Sequence, residues 1–338
     1  MASIQSNVSI AFILSFLSLC FSLSGQNYKK ADSIAALHFG RDLHNLSLLA
    51  VDLTKDLSND KEKFRALYSW VCHNIEVDHL QFKRIEKSRY RLRFDSLKLN
   101  EYDRVQGPLT IIKLHQTKRT VCTGYAYLLA SMAEIIGIEC KIINGYARTA
   151  NSEDRSSDFP NHSWNAVKLD GKWQLCDPTW SSGYSYVQGS LAYFETDYNE
   201  GYFLCPPKYF ALNHIPQNPK WLLDTSLNKS YNQDGPLVYG AAFKHQIFPD
   251  SGEKMIRECA RRDSIYFNFQ SLKKLESQDF YILISNGFNS REIELRNLAS
   301  SENSLRFNHV FEKSGIYDVH ILANTDVLAS YTLTVYKP

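Results

Sequence analysis

The spacing of apolar residues changes character along this chain. Over residues 28–57 the run "IAALHFGRDLHNLSLLAVDLT" carries helical periodicity. The next helix has a marked start. Asn59 stands as N-cap with Glu62 three residues on, and Phe64, Leu67, Val71 and Ile75 fall on one face. Residues 79–118 are basic and polar with little period, and read as loop and short elements. A further helix is predicted from near Cys122. Thr120 is its expected cap, Ala126, Leu129, Ala130 and Ala133 form a stripe of mostly small residues, and Gly137 ends it.

Beyond that helix the period shortens to two. "IECKIINGYAR" reads as a strand, a polar loop follows, and "NHSWNAVKLDGKWQLCDPTW" alternates on both sides of Asp170-Gly171, a dipeptide favoured in two-residue hairpin turns. From about Gly235 short alternating runs recur in "SIYFNFQ", "FYILISNG", "IYDVHILA" and "LASYTLTVY", with "NTDV" joining the last two. Regular short strands of this kind predict an immunoglobulin-like β-sandwich. The expected division is a leader over 1–25, an α+β domain over 26–234 and a sandwich over 235–338, each folded domain with its own core.

The hairpin register carries the chemistry. A two-residue turn at Asp170-Gly171 sets Leu169 against Lys172 and Trp164 against Asp177. His162 then shares a face with Trp164 and lies diagonal to Asp177, within reach of its carboxylate. Trp164, Ala166, Trp173 and Leu175 share that face and are expected to pack on the Cys122 helix, bringing thiol to imidazole. A carboxylate that holds one ring nitrogen leaves the other free to act as a base. A thiol at a helix start beside an imidazolium has a lowered pKa, which supplies a thiolate near neutral pH. Any one of these residues alone reads as core or turn. Their joint placement reads as a nucleophile, a base and an orienting carboxylate.

Composition narrows the classes. The 338 residues carry 38 basic and 36 acidic side chains, a net charge of +2, so no nucleic-acid or membrane-surface partner is implied. The apolar segment "SIAFILSFLSLCFSLSGQ" is short and broken by serines, which suits a secretory leader cleaved near Gly25 rather than a membrane span. Secretion or a periplasmic location follows as an expectation, with lipid anchoring through Cys20 as the minor alternative. Cys72, Cys122, Cys140, Cys176, Cys205 and Cys259 form neither a disulfide framework nor a CxxC metal site. His73, His79 and His115 lack metal-ligand spacing. His214, in "NHIP", reads as a packing or turn residue, and "KRIEKSRYRLR" as a solvated face.

"TVCTGYAYLLASMAEIIGI", the hairpin and the spacing between them resemble the transglutaminase-like superfamily, whose papain-like core places Cys, His and Asp in this order. "KEKFRALYSWVCHNIEVD" resembles the helix before that core, and "YFLCPPKYFALNHIPQNPKW" the extension found in its kyphoscoliosis-peptidase branch. The resemblance implies Cys122 as nucleophile, His162 as general base and Asp177 as orienting carboxylate. Animal transglutaminases carry Gly-Gln-Cys-Trp where this chain has Thr-Val-Cys-Thr-Gly-Tyr, which removes the ground for glutamine–lysine cross-linking and for calcium.

The expected activity is acyl transfer on an amide of a protein or peptide, through a thioester and without a cofactor. Backbone N–H groups at the start of the Cys122 helix are the expected oxyanion donors. Water as acceptor makes a peptidase or amidase, and an amine makes a transamidase. A binding or scaffold protein that keeps the site for recognition is the third reading.

Overall fold

The structure, a computed structural model, describes residues 28–150, 159–189, 191–227, 234–275, 278–296 and 303–338. The expected leader and Cys20 lie outside these residues. Among them no helix is long and apolar enough to cross a membrane.

Three helices open the fold: α1 (Lys29–Leu37), α2 (Leu46–Thr54) and α3 (Asp60–Asn74). The Asn59 carboxamide accepts the Glu62 N–H at 2.9 Å, so the predicted cap is in place. Phe64, Leu67, Val71 and Ile75 are all buried. A short strand β1 (Glu76–Val77) follows, then α4 (His79–Leu92), α5 (Ser96–Thr117) and β2 (Arg119–Thr120), which pairs in parallel with β1.

The helical hairpin of α4 and α5 corrects the loop expected over 79–118. Asp78 and Asp95 cap the two helices by accepting the N–H groups of Gln81 and Lys98. Only Gln81 of α4 and Thr110 and Leu114 of α5 are buried. A helix that buries so few residues needs no apolar stripe, and shows no period to read.

The helix α6 (Cys122–Ile135) runs into β3 (Cys140–Ala147), β4 (His162–Leu169) and β5 (Lys172–Cys176). Leu169 faces Lys172 and Asn165 faces Cys176, the register predicted from the turn. Asp170 and Gly171 have φ of 51° and 75°, the left-handed pair this turn requires. A short helix α7 (Pro178–Ser182) and a hairpin of β6 (Gly183–Gln188) and β7 (Leu191–Thr196) come next. Then α8 (Pro207–Phe210) leads to β8 (His214–Pro216), which closes the sheet in the order β5-β4-β3-β8.

The packing of this sheet reverses one expectation. Val167, Leu169 and Cys176 lie with Tyr125, Leu128, Leu129 and Met132 of α6, whereas Trp164, Ala166 and Leu175 turn the other way. Alternation along a strand assigns these two sets to opposite faces, and α6 covers the face without the tryptophan.

The C-terminal part begins with β9 (Leu237–Val238), α9 (Gly240–His245), β10 (Ile247–Pro249), β11 (Ile256–Ala260) and β12 (Ser264–Ser271). It continues through β13 (Phe280–Ser285), β14 (Ser290–Leu295), β15 (Ser304–Val310), β16 (Gly315–Ala323) and β17 (Asp326–Tyr336). One sheet has the order β10-β12-β15, and the other β11-β17-β16-β13-β14 with β9 added to β17. The class is α+β with a C-terminal β-sandwich.

The sandwich does not keep a core to itself. Trp164, Leu175, Tyr202 and Phe210 join Phe243, Phe248, Phe267 and Phe307 in one buried cluster. Tyr202 stacks on Phe243 with ring centroids 4.2 Å apart, and Tyr209 on Phe248 at 4.5 Å. The expected pair of separate cores is therefore corrected: the tryptophan face of the sheet, left free by α6, is covered from the sandwich side.

Candidate active site

Cys122 is the first residue of α6. Its cap is Val121, which has no side-chain cap bond, and not Thr120. Thr120 is instead a wholly buried residue of β2. Gly124 lies so close to it that any Cβ there would collide with the Thr120 side chain. The helix start is thus pressed against β2, and Asn165 fixes it from the sheet by donating to the Ala126 carbonyl at 2.9 Å.

The start of β4 brings His162 to the thiol. The Cys122 sulfur faces the His162 imidazole and the backbone N–H of Ser163, and both favour its ionised form. His162 meets Asp177 through Nε2, 2.7 Å from Oδ2, so its Nδ1 side serves the sulfur. Trp180 lies over the imidazole. Cys122, His162 and Asp177 are therefore brought together although α6 packs on the opposite face from the one expected. The thiol reaches His162 from the end of the strand.

Asp177 is completely buried and caps α7. Its Oδ1 accepts the N–H groups of Thr179 and Trp180 at 2.8 and 3.1 Å. Its Oδ2 accepts from His162 and also from His214, whose Nε2 is 3.0 Å away. Tyr68 of α3 donates to the Asp177 carbonyl at 2.9 Å and steadies the turn.

His214 packs as expected and has a contact with Asp177 besides. It opens β8, stacks on Phe210 at 4.0 Å, and takes the edge of Trp164 at 5.0 Å. Its contact with Asp177 spans 37 residues and depends on β8 pairing with β3. No local pattern could have announced it.

The charges follow from these bonds. Burial favours the neutral thiol of Cys122, but the hydrogen bond and charge of His162 outweigh it and hold the pKa below the ordinary value. Burial would lower His162, yet Asp177 and Cys122 raise it to about 10. Burial would raise Asp177, and the two imidazoles hold it well below the usual carboxylate range. Burial dominates at His214 and pushes it down to about 4, so that ring is neutral. The group sets a thiol of lowered pKa, an imidazolium and a carboxylate in line, with a neutral imidazole behind. Burial raises Cys72, Cys140, Cys176 and Cys205 instead.

Ligand atoms of His162, Asp177 and His214 lie within 4.8 Å of one another, so the three could together hold a divalent cation. A cation there would displace the protons that now bridge both rings to Oδ2.

Two clefts meet at Cys122 and His162. One of about 240 Å³ is walled by Phe82, Ile85 and Arg89 of α4 and by Gln106 and Thr110 of α5. Arg89 ties that wall to the strand before His162 by donating to the Pro160 carbonyl at 2.8 Å. The other, of about 530 Å³, is lined by Trp180, Tyr184 and Tyr202, and by Leu237 to Gly240 of the C-terminal part.

Residues 48–178 match the family model described as the transglutaminase-like superfamily. The chain is 32% identical over 205 residues to human kyphoscoliosis peptidase, covering 60% of this chain and 27% of that protein. It is 24% identical over 240 residues to Hillarin of Drosophila melanogaster, covering 67% of this chain and 26% of that protein. A solved TGase crystal structure gives a TM-score of 0.27 at 15% identity, covering 47% of this chain and 34% of the other. The chain spans about a quarter of the length of the curated relatives it matches.

Proposed function

We propose, for a chain that belongs to the transglutaminase-like superfamily through residues 48–178, that it is a cysteine-dependent acyl-transfer enzyme cleaving amide bonds of proteins or peptides. The observation that carries this reading is the placing of Cys122 against a His162 that is bonded to Asp177, at the meeting of two clefts.

In this reading the Cys122 thiolate attacks the amide carbonyl carbon. The oxyanion that forms is met by backbone N–H groups of Cys122 and Thr123 at the start of α6. The His162 imidazolium gives its proton to the departing amine as the C–N bond breaks, leaving a thioester and a neutral imidazole. That imidazole takes a proton from water, the hydroxide oxygen adds to the thioester, and the acid leaves with the thiolate restored. Asp177 holds the ring in one orientation throughout and is not itself protonated.

Two clefts that meet at the thiol suit a polymer that continues past the bond being cut. The kinship with proteins named peptidases supports water as the acceptor. An amine acceptor would use the same acylation half and yield a transamidase. The apolar leader supports action outside the cytoplasm, and residues 26–234 and 235–338 are proposed as the two folded parts, the second supplying a wall of the site.

Trapping tests the reading. The full chain is incubated with an extracellular peptide library, quenched in acid and mapped for mass added to Cys122. Acyl adducts on Cys122, absent from Cys122→Ala, are expected. Complete absence of adducts, with Cys122 unreactive to iodoacetamide below pH 7, would remove the enzymatic reading and leave a binding protein.

A further inference from the structure

Two imidazoles share one oxygen of Asp177, and the mechanism above uses only one of them. His162 and His214 lie 2.7 and 3.0 Å from Oδ2, while Oδ1 is occupied by two backbone N–H groups. Both histidines are buried, His214 almost completely. Among the described residues these imidazoles are the only ion-pair partners of Asp177. Besides Cys122, the other ionisable groups near Asp177 are the thiols of Cys72 and Cys176 and the phenols of Tyr68, Tyr125 and Tyr202. Burial raises all five, so they are neutral.

We propose that His214 is a positioning residue of the acyl-transfer site: a second imidazole that donates to Oδ2 of Asp177 and holds the carboxylate aimed at His162. The proposal rests on the acyl-transfer reading.

Neutrality suits the task. A cation on that oxygen would repel the His162 imidazolium and weaken its hold on the thiolate. A neutral donor stabilises the carboxylate without that repulsion. The far side of the ring is equipped for it. The Asn213 carboxamide oxygen stands 2.7 Å from Nδ1, and its nitrogen 3.3 Å from the Tyr202 hydroxyl. A half-turn of the carboxamide keeps its shape and exchanges the two ends. The amide then donates to the bare Nδ1, and its oxygen accepts from Tyr202. Phe210, Trp180 and Trp164 enclose the ring.

The test uses iodoacetamide alkylation of Cys122 in the full chain from acid to alkaline pH, with melting temperatures alongside. His214→Phe fills the space without a donor and is expected to slow alkylation near pH 6 about tenfold or more, the scale of one charge-assisted hydrogen bond. His214→Gln returns an N–H near the position of Nε2 and is expected to restore the rate to within about threefold. In an Asp177→Asn background, His214→Phe should add little, since His214 acts only through that carboxylate.

Wild-type reactivity in the Phe variant overturns the proposal, as does equal slowing by Phe and Gln in folded proteins. Full additivity with Asp177→Asn overturns it too. Should the Phe variant fail to fold, His214→Met takes its place in the comparison with Gln. A wild-type Cys122 with no reactivity below pH 7 would instead bring down the acyl-transfer reading, and the proposal with it.

Discussion

Trp180 lies nearly flat on His162, with ring centroids 4.9 Å apart and 26° between the planes. The indole stands three residues after Asp177, at the point where α7 turns beside the carboxylate. Its position keeps water from the His162–Asp177 bond and so keeps that attraction strong.

Trp180→Ala should admit water there, screen Asp177 from His162, and let the imidazolium and thiolate relax toward ordinary values. The acid limb of Cys122 alkylation is expected to move up by about one pH unit. Trp180→Phe should recover most of it. An unmoved limb in the Ala variant would reduce Trp180 to a cleft-lining residue.

The stability profile has three readable windows. His214 is neutral when folded down to about 4, while its unfolded form takes a proton below about 6.5. Its contribution is therefore present above about 6.5 and lost as pH falls toward 4, an order of about 3 kcal/mol. His162 has the opposite sign: its contribution is full below about 6.5 and lost as pH rises toward about 10. Cys122, held low, gains in the opposite sense below the unfolded thiol value of about 8.5, so it offsets part of the His162 loss there, and stability falls above that value. Urea unfolding at pH 4.5, 7.5 and 10 checks this. His214→Gln should shrink the acid loss and leave the alkaline one.

Gly124 faces Thr120 too closely to carry a side chain. Gly124→Ala should cost about 1–3 kcal/mol by overpacking and displace the start of α6. Alkylation of Cys122 should slow with it. Thr120→Gly in the same protein should return the reactivity, because it removes every atom the new methyl meets. Failure of that rescue would place the constraint elsewhere.

A chain ending at Asp234 loses Phe243 and Phe248, the stacking partners of Tyr202 and Tyr209. Cooperative thermal unfolding should be lost or shifted well downward, and near-ultraviolet dichroism should flatten. A sharp transition at the melting temperature of the full chain would show the first part to be self-sufficient.

What could be read in the sequence was local. The Asn59 cap, the Asp170-Gly171 turn and the register it imposes depend on neighbours a few residues away, and they delivered His162 to Asp177. What could not be read depended on distant partners. Trp164 was bound to bury itself, but nothing local told which side would receive it. The answer was Phe210 and the sandwich, not α6. The α4–α5 pair could not be read because apolar residues such as Leu80, Leu97, Leu109 and Ile112 stay exposed rather than marking a core stripe, and Pro108 interrupts the pattern. Its Asp78 and Asp95 caps were legible all the same.

The strand β9 has a consequence for the width of the cleft. Val238 and Leu237 pair with Ala329 and Ser330 of β17, and the same short strand lines the larger cleft. The wall therefore has the stiffness of a sheet edge rather than that of a loop. A shift of β17 carries the wall with it, ångström for ångström. The gap through which a substrate must pass is thus calibrated by the packing of a strand some two hundred residues further along the chain than the thiol it serves.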